Sequence, residues 1–140
     1  MAELLLKEEY NVIRNDFVAA GEVSAQIKRT LKKIGIDSSI IRKVSIAAYE
    51  AEINMIIHSL GGKMSFSIED DCITVICADT GPGIKDLDLA MKEGYSTASE
   101  EVRNMGFGAG MGLPNIRKNT SDMNVETSPA GTTITMKFNI

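Results

Sequence analysis

Tryptophan is missing from this chain, and histidine and cysteine are scarce: one histidine and two cysteines in 140 residues. Cys72 and Cys77 match neither a disulfide framework nor a zinc-ligand spacing, so both are expected as reduced, buried thiols. Five apart on one strand, they face opposite sides and cannot form one site. No apolar run approaches the ~20 residues of a membrane helix. Met1–Glu8 holds only Leu4-Leu5-Leu6 as an apolar stretch, so no secretory leader is expected there. Positive charge is not in excess either. Fifteen Lys and Arg against 19 Asp and Glu leave −4, no electrostatic footprint for nucleic acid or an anionic membrane surface.

What is present is ordinary globular composition, 44% hydrophobic and 24% charged, at the size of one domain spanning 1–140. Leu4–Val12 alternates as a strand. Asn15 and Asp16 are cap candidates for a helix over about 17–34, with Val23, Ile27, Leu31 and Ile34 at helical spacing, Gly21 a weak spot near its start and Gly35 its stop. A second helix follows Asp37 and runs to about Leu60, with Ile46, Ile53, Ile57 and Leu60 as its apolar stripe. Lys63–Glu69 and Cys72–Asp79 alternate as strands. A short helix over 86–93 precedes a loop, 94–109, whose length suits a lid. A helix from Met111 to about Thr120 and strands Asn124–Ser128 and Thr132–Ile140 close the chain. This order predicts an α+β two-layer sandwich: a mixed, mostly antiparallel sheet with helices on one face.

Four motifs carry chemistry. Glu50 and Asn54 lie four apart on the long helix and share a face, which His58 extends; an amide oxygen beside a carboxylate suits Mg²⁺. Asp79-Thr-Gly81-Pro-Gly83 ends a strand, with an Asp free to aim across the sheet and two glycines that permit close backbone approach. Gly106, Gly108, Gly110 and Gly112 alternate immediately before a helix, an arrangement of amides fit for an anion. It is neither a P-loop nor a dinucleotide fingerprint. Gly131-Thr132-Thr133 opens the last strand.

In this order the four motifs resemble the nucleotide-binding boxes of the GHKL superfamily: Glu50…Asn54 its N-box, Asp79–Gly83 its first glycine box, Gly106–Leu113 its second and Gly131-Thr132 its third. Within that group the chain is similar to the small bacterial serine/threonine kinases that act as anti-sigma factors or stressosome switch kinases. Glu93–Thr97 and Gly110–Arg117 carry the likeness to the switch kinases. A histidine kinase is disfavoured, because the single histidine, His58, sits inside the nucleotide helix.

The resemblance implies the GHKL ATPase fold, ATP as cofactor and Mg²⁺ held by Asn54. It also implies a hydrogen bond from the adenine amino group to Asp79, with Gly81 and Gly83 passing close to the base. Thr132 would lie near adenine, the glycine loop would hold the phosphates, and Arg103 in the lid would reach the γ-phosphate. Glu50 is the implied general base toward a serine or threonine hydroxyl. The implied partner is a STAS-domain antagonist protein, with a sigma factor and a second copy of the chain as further partners, in the cytoplasm of a bacterium. Glu52 departs from the family pattern; lying about 200° round the helix from Glu50, it is expected in solvent. Two other readings stay open from the residues alone: a nucleotide-gated binding module with little catalysis, and a slow self-contained ATPase.

Overall fold

The structure is a computed structural model and describes residues 4–13, 16, 18–69, 71–81, 83, 91 and 112–140. Along them run β1 (Leu4–Val12), α1 (Glu22–Lys33), α2 (Ser38–His58), β2 (Gly62–Glu69), β3 (Cys72–Asp79), α3 (Gly112–Asn119), β4 (Asp122–Ser128) and β5 (Gly131–Asn139). The expected helix over 86–93, apart from Met91, and the loop 94–109 lie outside the described residues.

Each strand reads out the period of two. Met64, Phe66 and Ile68 of β2, Ile73, Val75 and Cys77 of β3, and Ile134, Met136 and Phe138 of β5 are buried under the helices. Register aligns them in rows: Phe66 faces Val75, Val75 faces Met136, and Met136 faces Met123. Fully burying a side chain of this kind contributes about 1.5–3 kcal/mol. The strand order is β1-β2-β3-β5-β4, and all four pairings are antiparallel, so the expected mostly antiparallel sheet has no parallel pair among its described strands. Both thiols are free, but only Cys77 is buried as expected; Cys72 is half-buried, because it sits at the start of β3 on the opposite face.

Two helix expectations need correction. The first helix begins at Glu22, not near residue 17, because Gly21 adopts φ +88° and forms its boundary. At its other end Ile34 is a half-exposed C-cap rather than a core residue. In α2, which starts at its N-cap Asp37 with the carboxylate accepting from the Ser39 N–H at 3.2 Å, the buried stripe is not the one expected. Ile53 is buried, but Ile46 and Ile57 are only half-buried and Leu60 is exposed. The core side is carried by Ile41, Val44, Ala47, Ala48, Ala51, Met55 and Ile56. The helix packs against α1, α3 and the sheet at once, and the three fully buried alanines let those neighbours approach closely.

Candidate functional site

Asp79 closes β3 opposite Gly62 and beside the start of β5. Its Oδ1 accepts the Thr132 N–H at 2.9 Å. No hydrogen bond to its second oxygen occurs among the described residues. Burial raises the Asp79 carboxyl above its usual range, and the Thr132 N–H opposes that shift. Thr132 is buried, and its hydroxyl pairs with that of Thr127 at 2.8 Å.

The glycines around Asp79 are required by backbone crowding. A Cβ on Gly81 would stand 2.7 Å from the Pro129 carbonyl oxygen, and one on Gly83, at φ +86°, 2.1 Å from that of Ser128. One on Gly131 would stand 2.2 Å from the Asp79 carbonyl oxygen. The Gly81 N–H donates to the Ala130 carbonyl at 2.7 Å. The first and third glycine boxes therefore lock onto each other through the β4–β5 turn, a reason for glycine independent of any ligand.

The same corner is tied to α2. The Leu60 N–H donates to the Thr80 carbonyl at 3.1 Å, and the Thr80 N–H donates to the Gly61 carbonyl at 3.0 Å. The helix bearing Glu50 and Asn54 is thus anchored at the strand end bearing Asp79. Both residues are half-buried on one face of α2. Glu50 Oε1 accepts from Asn115 Nδ2 at 3.3 Å, which brings α3, the helix after the glycine loop, onto the N-box. Asn54 has no hydrogen bond among the described residues.

Glu52 overturns its expectation. It is only 2% exposed. Its Oε2 accepts the N–H of Gly21 at 3.0 Å and of Val23 at 3.3 Å, and its Oε1 accepts the N–H of Ser24 at 3.0 Å. Gly21 has no side chain with which to cap α1, so a carboxylate from the neighbouring helix satisfies the exposed amides of its first turn. Spacing along α2 placed Glu52 away from Glu50, which is correct; what spacing could not show is that α1 covers that side. Burial raises the Glu52 carboxyl, while the backbone N–H donors oppose it. Burial first, then the nearby Glu52 and Asp79 carboxylates, push the Cys77 thiol far above its usual range and keep it protonated.

Of the predicted site residues, Glu50, Asn54, Asp79, Gly81, Gly83, Gly112 and Thr132 are placed as N-box helix, β3 end, α3 start and β5 start. Arg103, Gly106, Gly108 and Gly110 lie outside the described residues, as does the side chain of His58. Asn115 and Thr127 were not anticipated. Asn115 was detectable as the residue one turn after Gly112 on the helix that leaves the glycine loop, whereas Thr127 carries no local signal. A cleft of about 490 Å³ lined by Glu9, Asp16, Glu22 and Glu52, among others, opens between β1 and α1 and touches neither Asn54 nor Asp79.

A family model described as histidine kinase-like ATPase domain matches residues 13–138. The chain belongs to this family. The Anti-sigma F factor of Caldanaerobacter subterraneus subsp. tengcongensis is 30% identical over 140 residues, covering 96% of this chain and 88% of that protein. The Anti-sigma F factor of a Thermoanaerobacter species is 30% identical over 119 residues, covering 81% and 75%. In fold the chain is similar to the crystal structure of the RsbU and RsbW domains of Rv1364c from Mycobacterium tuberculosis, with TM-score 0.65 and 19% identity. That match covers 95% of this chain and 32% of the longer one. It is similar also to the SiaB-SiaC complex from Pseudomonas aeruginosa, with TM-score 0.55 and 13% identity over 98% and 91% of the two chains.

An ATPase domain implies ATP binding, and the residues fit a nucleotide. Asp79 keeps one carboxylate oxygen clear of protein donors among the described residues, at a corner whose backbone is locked by glycine. Asn54, on the face it shares with Glu50, presents an amide that has no hydrogen-bond partner among the described residues. No helix of the described residues is long and apolar enough to cross a membrane.

Proposed function

We propose that this chain is a Mg-ATP-dependent serine/threonine protein kinase of the anti-sigma type, a single ATP-binding domain with its lid at 94–109. Its substrate in this reading is a STAS-domain antagonist protein. The observation that carries the reading is the Asn115–Glu50 hydrogen bond. It joins the helix that follows the glycine loop to the carboxylate best placed to act as a base, one helical turn from the amide of Asn54.

Each residue then has a task. Asp79 accepts a hydrogen bond from the adenine amino group through its second oxygen, while Thr132 holds the first. In this reading the amides of Gly108, Gly110 and Gly112 and the start of α3 would hold the phosphates, and Arg103 would reach the γ-phosphate. Among the described residues no three His, Cys, Asp or Glu side chains gather as a metal site. In this reading a divalent ion would be held by the side-chain oxygen of Asn54 together with the phosphates of the nucleotide, as is usual for Mg²⁺. When bound, that ion supplies charge neutralisation at the transferring phosphoryl group. Glu50 takes the proton of the acceptor hydroxyl as its oxygen bonds to the γ-phosphorus and the bond to the ADP oxygen breaks. The Anti-sigma F factor relatives support a regulatory protein as the acceptor; a sigma factor and a second copy of the chain are further partners in this reading.

The test begins with a pull-down using the Mg-ADP-loaded protein, read by mass spectrometry, followed by single-turnover transfer from labelled ATP to the recovered protein. Glu50→Gln is expected to keep nucleotide affinity and slow transfer by about 10²–10⁴-fold. Transfer at the normal rate would remove Glu50 from its role. Asp79→Asn preserves the acceptor for Thr132 but turns a donor toward adenine, so nucleotide affinity should fall roughly ten- to a hundredfold with the fold intact. An unchanged affinity by calorimetry sinks the adenine contact. Label released only as free phosphate sinks the kinase.

A further inference from the structure

A groove of about 380 Å³ runs between α1 and α2, lined by Gly21, Ser24, Ala25 and Lys28 on one side and Ser45, Ile46, Tyr49 and Glu50 on the other. It is a separate feature from the Asp79 corner, and Glu50 is the residue it shares with the proposed reaction. Apart from Lys28 and Glu50 its walls are small or apolar: two serines, an alanine, a glycine, an isoleucine and a tyrosine ring. Tyr49 remains 39% exposed, and its ring lies against Gly21, where an added Cβ would come within 3.0 Å of it. The α1 wall is held in place from below, because Glu52 grips the N–H groups of Gly21, Val23 and Ser24.

Charge gives the groove a direction. At one end is the Glu50 carboxylate. Along the helical stripes toward the other end come Lys28, then Lys32 one turn on, and Arg42 one turn before Ser45 and Ile46. All three cations are exposed, and none has an ion pair among the described residues. Over the span that lines the groove, Gly21 to Glu50, the chain carries six Lys or Arg and three carboxylates, Glu22, Asp37 and Glu50, with the six cations between Lys28 and Lys43, although the whole protein sums to −4. Such a local field, opposed to the overall charge, selects acidic partners and rejects basic ones.

We propose that this groove docks an amphipathic helix of the partner protein, its apolar ridge on Ala25, Ile46 and Tyr49 and its acidic flank on Lys28, Lys32 and Arg42, and that docking delivers the acceptor hydroxyl to Glu50. The inference rests on the transfer reading for its consequence but not for the binding itself. Small residues on both walls let a helix backbone approach closely, and an apolar ridge in a groove between two helices is a recurrent mode of helix recognition. The cationic end fixes polarity, so that the opposite end of the docked helix meets the carboxylate.

The probes are two labelled synthetic helices of about 18 residues, roughly 27 Å long. They are identical in a leucine ridge and a serine near one end, and differ only in glutamate or lysine flanks. Fluorescence anisotropy should show the acidic helix binding at least about tenfold tighter, a preference of about 1.4 kcal/mol. The double variant Lys28→Glu, Arg42→Glu, its folding checked by circular dichroism, should reverse the order. Backbone amide shifts on titration should appear at Ala25, Ser45 and Tyr49 and be absent from Ser65 and Thr74 on the far face of the sheet. Equal affinity for both helices, no binding of either, or shifts confined to the sheet face overturns the proposal. Phosphate transfer to the serine is measured separately. Selective binding without transfer retains the dock and overturns its delivery of the hydroxyl to Glu50, whereas transfer without discrimination sinks the dock and retains the kinase.

Discussion

At the scale of single residues, Glu52 separates what a side chain looks like in one dimension from what it does in three. A glutamate in the middle of a helix is expected in water, yet this one is the N-terminal cap of a different helix. Glu52→Ala leaves three backbone N–H groups without acceptors in a buried place and should cost about 2–4 kcal/mol in urea unfolding. Glu52→Gln should cost less, since its amide oxygen still accepts. The two forms also differ in pH dependence. Burial places the folded-state Glu52 carboxyl above its unfolded value, so the folded protein retains the proton longer. Stability from this group therefore falls as pH rises from the ordinary carboxylate value through the folded one. Wild type should lose stability relative to Glu52→Gln across that window, with Asp79 shifted the same way in both proteins and so cancelling. A difference that stays flat with pH removes Glu52 as the titrating group.

At the scale of elements, glycines mark junctions of different kinds. Gly35 has φ +81° and open space around its Cβ position. Gly62 has ordinary backbone, but a Cβ there would stand 2.1 Å from the Ala78 carbonyl oxygen and 2.7 Å from the Asp79 Cα. Gly35→Ala should cost about 1–2 kcal/mol, the left-handed penalty alone. Gly62→Ala forces β2 and β3 apart at the residue proposed to hold adenine. It should cost more and should also weaken binding of a fluorescent ADP analogue, which Gly35→Ala should not. Equal melting temperatures, or equal nucleotide affinities, for the two variants would contradict this account. The elements themselves were largely readable: β1 and β3 have the expected ends, and Asp37 caps α2 as its side chain predicts. The start of α1 was not, because periodicity extends through Gly21 while the left-handed backbone there interrupts the helix.

At the scale of the whole molecule, one nucleotide would touch elements far apart in the chain: α2, the end of β3, the start of α3 and the start of β5. A ligand that binds only when these are assembled stabilises the assembly. At a hundred times its Kd the gain is about 2.7 kcal/mol. For a domain of this size that corresponds to a rise in Tm on the order of 5–10 °C with Mg-ADP. Asp79→Asn at the same nucleotide concentration should show a much smaller rise. A full shift in that variant places the nucleotide elsewhere.

The amino-acid order by itself determined the alternation that builds the sheet, the turn and cap chemistry that bounds most elements, and the four motifs that resemble a nucleotide site. Those depend on neighbours within a few residues, where backbone geometry is set by local sterics and hydrogen bonding. Only the tertiary structure decided that Glu52 is buried, that Ala47, Ala48 and Ala51 rather than Ile46, Ile57 and Leu60 join the core face of α2, and that the glycine boxes lock to each other through the β4–β5 turn. It also decided that Asn115 meets Glu50 and that α1 and α2 leave a groove between them. Each of these depends on which surface a second, distant element covers, and burial and backbone clearance come into being only when both elements are in place.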